Sequence, residues 1–96
     1  MRDYRNNYRP LPDMLTIQKS KIHGLGLFCI NEIDPGVCIG ITHVFKKRFG
    51  IVRTPLGGFL NHSDNPNCFI LEKGDQRYLY SVRKIRNEEL TVFYRF

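Results

Sequence analysis

A chain of 96 residues, 42% hydrophobic and 25% charged, has the balance of a folded protein and the length of one domain with a small core. No apolar run approaches the ~20 residues of a membrane helix, and no charged start leads into a signal-like apolar stretch, so a soluble, intracellular protein is expected. The net charge of +6 admits a solvated surface or weak contact with nucleic acid, and the first is favoured because no recognised nucleic-acid motif accompanies the basic residues.

Residues 1–12 are polar and carry Pro10 and Pro12, so they read as a basic N-terminal arm ahead of a domain over 13–96. Arg2, Arg5 and Arg9 alternate there with Tyr4 and Tyr8, a pattern that can track phosphates and stack on bases. From Leu15 to Lys19 apolar and polar residues alternate, as in a half-buried strand. Gly24 and Gly26 break regularity before Leu27-Phe28-Cys29-Ile30. Asp34-Pro35-Gly36 predicts a turn, since proline presets one φ and glycine permits a positive one. Val37 to Phe45 is a β-branched, apolar strand with Gly40 as a bulge or close-contact point.

Lys46 to Thr54 is short and basic, with Lys46, Lys47 and Arg48 clustered. Pro55, Gly57 and Gly58 argue against a helix in the next segment. Phe69 to Leu71 and Arg77 to Val82 flank a hairpin turn at Lys73-Gly74-Asp75, and Thr91 to Phe96 forms a last strand. Tyr78 and Tyr80 alternate with Leu79 and read as sheet-face packing. Short strands at intervals of roughly 8–12 residues predict a mainly-β domain. Cys29, Cys38 and Cys68 form no Cys-x-x-Cys and read as buried thiols in a reducing compartment.

The most unusual stretch is Asn61-His62-Ser63-Asp64-Asn65-Pro66-Asn67-Cys68. It follows the apolar Phe59-Leu60, is rich in hydrogen-bonding groups and is stiffened by Pro66, which suits a ligand-positioning segment better than a core. Taken alone, Gly24-Leu25-Gly26 is a structural turn, and Tyr94 is a core residue of a terminal strand. Together and in order, Gly24-Leu25-Gly26-Leu27-Phe28, Pro55 to Ser63 and Glu89-Leu90-Thr91-Val92-Phe93-Tyr94 resemble the signature of the SET-domain protein-lysine methyltransferases. Ile33 to Ile39 is similar to that family's I-x-x-G-x-x-I turn and strand, and the resemblance spans residues 15 to 94. In size the chain resembles the minimal SET domains of viruses, phages and some bacteria.

The resemblance implies a mainly-β, β-clip-like SET-domain fold of small curled sheets, with a C-terminal pseudoknot that brings Asn61-His62 beside the final strand. It implies transfer of methyl groups from S-adenosyl-L-methionine to a lysine of a protein substrate. His23, Gly24, Leu25 and Gly26 would lie along the cofactor's amino-acid end. Asn61 would hold the cofactor through its amide, and His62 would meet the adenine. Tyr94 matches the family's catalytic tyrosine, Cys68 a structural position, and Glu89 a group that satisfies backbone donors near the crossover.

In-line transfer to a neutral amine needs alignment more than an ionised general base. Desolvation lowers a lysine pKa from its usual ~10.4, so a shortage of catalytic carboxylates is no obstacle. Larger relatives insert a substrate-binding subdomain where this chain has about a dozen residues from Phe45 to Leu56, and they continue beyond the tyrosine that Tyr94 matches. The lysine channel is therefore expected to be completed by Tyr8, Phe45, Phe49, Phe96 or a second subunit, with a homodimer preferred. Asp64, Asp75, Glu88 and Glu89 are expected to form a local acidic rim for a basic substrate. The alternative is a catalytically weak SET-like module that uses its basic surface to bind a protein partner or nucleic acid.

Overall fold

A computed structural model describes residues 11–94. The arginine- and tyrosine-bearing arm before Leu11, and Phe96, lie outside the described residues. Strand β1 (Leu15–Lys19) pairs antiparallel with β2 (Leu25–Cys29), with Leu15 opposite Cys29 and Lys19 opposite Leu25. The connection turns back through Gly24, whose φ of +48° is left-handed and therefore suited to glycine. Strand β2 begins at Leu25, earlier than expected, so Gly26 lies inside a strand and does not interrupt one.

The short strand β3 (Glu32–Ile33) leads into the Asp34-Pro35-Gly36 turn, where Gly36 has φ +72°. Strand β4 (Cys38–Lys46) then runs through a register irregularity between Cys38 and Gly40, the expected bulge. A methyl group on Gly40 would lie 3.0 Å from Leu56 Cδ2, so the kink also admits that core leucine.

Beyond β4, within the segment read only as short and basic, Gly50–Arg53 forms strand β5, antiparallel to β4. Pro55–Gly58 forms a one-turn helix, α1, where proline and glycine had argued against one. Proline is preorganised for the first helical position, and Thr54 caps the turn: its Oγ1 accepts from the Gly57 N–H at 3.3 Å. Gly57 is required for another reason, since a Cβ there would lie 2.3 Å from the Thr42 carbonyl oxygen.

After β6 (Asn61–His62) come β7 (Cys68–Lys73) and β8 (Gln76–Ser81), joined across Gly74 with φ +58° as the hairpin motif predicted. Strand β9 (Ile85–Arg86) pairs with β3, and β10 (Thr91–Val92) pairs with β6. The last strand thus ends at Val92, shorter than expected. The largest sheet has the order β5-β4-β8-β7, beside three two-stranded sheets. Leu27, Leu79, Ile85, Leu90 and Val92 meet where these sheets close, and each is buried. Leu79 is enclosed while Tyr80 stacks on Phe69 with ring centroids 5.4 Å apart, the alternation expected for that strand. The architecture is mainly β, built of small curled sheets. Among the described residues no helix is long and apolar enough to cross a membrane.

Candidate functional site

The pairing of β6 with β10 is parallel, with Asn61 opposite Thr91 and His62 opposite Val92. On its other side the chain at residues 89–90 meets β2: the Leu90 N–H donates to the Leu27 carbonyl at 2.8 Å, and Phe28 bridges Glu89. The segment before Tyr94 is therefore held between β2 and the Asn61 segment. This is the crossing that a C-terminal pseudoknot requires.

Asn67 pins the crossing. Its Oδ1 accepts from the Thr91 N–H at 2.9 Å, its Nδ2 donates to the Glu89 carbonyl at 2.8 Å, and the side chain is buried. Burial makes these bonds costly to lose, because no water replaces them. Cys68 beside it is buried as well, and burial pushes its thiol up to about 12, so it stays a neutral, structural thiol. Cys29 is also buried, but Cys38 is exposed, so the expectation of three buried thiols is corrected to two.

At the other end of β6, the Asn61 amide nitrogen lies among four acceptors. These are Glu89 Oε2 at 2.8 Å, Ser20 Oγ and the His23 carbonyl at 3.1 Å, and the Leu25 carbonyl at 3.3 Å. Ser20 Oγ in turn donates to the Glu89 carboxylate and accepts from the Ile22 and His23 N–H groups. Residues 20–26 are thus strapped to β6 by side chains. Glu89 takes side-chain donors, not the backbone donors expected of it. Gly26 makes this possible, since a Cβ there would stand 2.1 Å from Glu89 Oε2.

His62 is exposed, yet both ring nitrogens have partners: Nδ1 accepts from the Tyr94 N–H at 3.0 Å, and Nε2 lies 3.2 Å from Asp64 Oδ1. Phe93 packs on the imidazole with centroids 4.7 Å apart. Tyr94 points the other way. Its hydroxyl donates to the Leu60 carbonyl at 2.7 Å, and burial holds its pKa above the usual phenol value against the opposing charge of Arg53. His43, Ile51, Arg53, Arg77 and Tyr94 line a cleft of about 440 Å³.

His23, Gly24, Leu25, Gly26, Asn61 and His62 are therefore drawn into one region, with Tyr94 attached to it through His62 and Leu60. The four acidic residues expected to form a rim have separate partners or places. Glu88 faces Arg83, Glu89 faces Ser20 and Asn61, Asp64 faces His62, and Asp75 lies in the β7–β8 turn. Lys46, Lys47 and Arg48 are exposed at the tip of the β4–β5 hairpin.

Sequence reasoning gave Ser20 and Asn67 no individual role. Ser20 had one local signal, a hydroxyl at the end of an alternating strand, where a side chain commonly caps a turn. Asn67 had none beyond its place in Pro66-Asn67-Cys68.

Residues 27–95 match the SET domain family. Human histone-lysine N-methyltransferase 2B is 28% identical over an alignment covering 97% of this chain, which spans only 5% of that relative. The folds of two solved structures are similar. A histone methyltransferase candidate of Plasmodium falciparum superposes with a TM-score of 0.72 at 21% identity, over 88% of this chain and 96% of its own. The methyltransferase domain of human PR domain-containing protein 2 superposes with a TM-score of 0.66 at 18% identity, over 90% of this chain and 80% of its own. With the family match covering most of its length and the crossing of β10 beside β6 in place, the chain belongs to the SET domain family.

Proposed function

We propose that this protein, with residues 13–96 as its SET domain, transfers methyl groups from S-adenosyl-L-methionine to a lysine side chain of a protein substrate. The observation that carries the reading is the Tyr94 hydroxyl, set on the Leu60 carbonyl at 2.7 Å beside the strand pair that contains Asn61-His62. The chemistry of the neighbouring groups suits the cofactor. Carbonyls at His23 and Leu25 and the Glu89 carboxylate favour a cationic ligand, while exposed Leu25 and the His62–Phe93 ring pair offer apolar surface to a purine. When bound, the cofactor supplies a methyl group activated on a sulfonium.

The residues of the chain do the rest by placement. Gly24 and Gly26 let the backbone of residues 23–26 approach closely, and Asn61 acts by fixing that backbone through its amide. Tyr94 donates its own proton to Leu60, so towards the substrate amine its oxygen acts as an acceptor of an N–H, which orients the amine's lone pair. Its raised pKa keeps it a neutral hydroxyl, so its role is orientation and not proton abstraction. A second copy of the chain is proposed to complete the lysine side. Phe45, Phe49, Ile51 and Val52, exposed on the β4–β5 hairpin, are the apolar surface available for it.

Calorimetric titration with S-adenosyl-L-methionine and with its demethylated product tests the cofactor reading. Saturable binding of both is expected, and no heat at near-millimolar ligand would remove the methyltransferase assignment. A monomeric mass in light scattering at assay concentration would count against the second copy.

A further inference from the structure

Four residues stand in one row across the largest sheet. Arg53 on β5 is opposite His43 on β4, His43 is opposite Arg77 on β8, and Arg77 is opposite Glu72 on β7. Directly opposed residues share a face of the sheet, and like charges in such positions repel unless something separates or balances them. Arg77 is balanced by Glu72, with Nε 3.5 Å from Oε2. His43 is buried and accordingly disfavours a proton, as do the two flanking guanidinium groups. The row therefore reads positive, neutral, positive, negative, and the unbalanced end is Arg53.

That end opens into the cleft of about 440 Å³ beside Tyr94. His43, Ile51, Arg53, Arg77 and Tyr94 line it, and none of the five is a carboxylate. Glu72 and Asp75 line a smaller adjoining cleft that shares His43, Ile51 and Arg77 with this one but does not include Arg53 among its described lining residues. A second negative group placed at Arg53 would extend the alternation already present at Glu72 and Arg77. A second cation brought to Arg53 would meet its repulsion, with no acid among the described lining residues to offset it.

We propose that this cleft receives a carboxylate of the substrate, carried by an acidic residue beside the target lysine. The inference rests on the reading of Tyr94 as the place where the target amine arrives. Ile51 would contact the aliphatic stem of the acidic side chain and Arg53 its carboxylate. Selectivity then arises as much from rejecting basic flanks as from attracting acidic ones.

Synthetic peptides alike except for Glu, Gln or Arg two residues from the lysine, on either side, test this in two assays. One measures binding by fluorescence anisotropy with the demethylated cofactor product present, and the other measures methyl transfer. Wild-type protein is expected to favour the Glu peptide over the Gln peptide about tenfold, with the Arg peptide weakest. Arg53→Glu should invert that order, and Arg53→Gln should flatten it; Arg53 is exposed on an edge strand, so both variants should fold. Equal binding and equal methylation of the three peptides would overturn the inference and leave the enzyme reading intact. Absence of binding by every peptide would also overturn it. The expected order in binding without methylation of any peptide would support the carboxylate site and remove the methyl-transfer reading alone.

Discussion

Gly26 and Glu89 stand so close that a methyl group on the glycine would lie 2.1 Å from one carboxylate oxygen and 2.8 Å from the carboxyl carbon. The carboxylate cannot retreat without leaving Ser20 and Asn61, its two side-chain donors. Gly26→Ala is accordingly expected to cost about 1–3 kcal/mol of stability, the usual range for overpacking a filled site. Chemical denaturation reads the loss. In the Glu89→Ala background the same substitution should cost clearly less, because the clashing group is gone; equal costs in both backgrounds would show that the contact is unimportant.

Asn67 closes the crossing from the opposite side. Asn67→Ala would leave the Thr91 N–H and the Glu89 carbonyl without their partners, and an unmade buried hydrogen bond costs about 1–3 kcal/mol. A loss of about 2–4 kcal/mol is expected, together with faster hydrogen exchange at the Thr91 amide. Unchanged exchange at Thr91 would mean that other contacts hold β10 in place.

The strands and turns that local chemistry specifies were legible in the sequence. The alternation over Leu15 to Lys19, the Asp34-Pro35-Gly36 turn, the Gly40 bulge and the hairpin at Gly74 depend on neighbours a few residues away. The helix at Pro55–Gly58 was missed because proline and glycine were taken only as breakers. A single turn uses proline at its start, and Gly57 answers to Thr42 from a distant strand. Asn67 and Ser20 lay out of reach because their partners sit 24 and 69 residues away in sequence. The parallel pairing of Asn61-His62 with Thr91-Val92 leaves no trace in periodicity either. Only the resemblance of ordered motifs brought it forward.

The three cysteines separate by exposure. Cys38 is exposed, while Cys29 and Cys68 are buried and the Cys68 thiol is pushed up to about 12. An alkylating reagent at neutral pH should therefore modify one thiol of the native protein, identified by peptide mapping as Cys38, and the other two only in denaturant. Native labelling of Cys68 would contradict its burial.

The Arg83–Glu88 pair gives a pH-dependent signature. Two guanidinium bonds of 2.8 Å, with a third bond from the Arg86 N–H, hold the Glu88 carboxyl down to about 2 from its ordinary 4.5. A depressed folded pKa contributes stability above the unfolded value, and that contribution is lost as pH falls from about 4.5 towards about 2. Solvent screening of so exposed a pair limits the effect to about 1 kcal/mol. Glu88→Gln should lose that amount at pH 6 and show a flatter stability profile between pH 5 and 2 (roughly the window the shift defines). Parallel profiles for the two proteins would indicate that the pair adds nothing.

Tyr94→Phe separates orientation from binding. The substitution removes only the hydroxyl that donates to Leu60, and a partly buried neutral hydrogen bond contributes about 1 kcal/mol, so the fold should persist. The cofactor side consists of residues 23–26 and Asn61-His62, none of which needs that hydroxyl, and the His62 contact uses the Tyr94 backbone N–H, which the variant retains. Cofactor affinity should therefore stay within about twofold, while turnover falls roughly 10²–10⁴-fold, as expected when a positioned group at the reacting centre is lost. The two measurements must diverge for the proposed role to stand. Turnover equal to wild type would take Tyr94 out of the chemistry, and a matching collapse of cofactor binding would make it a structural residue of the pocket.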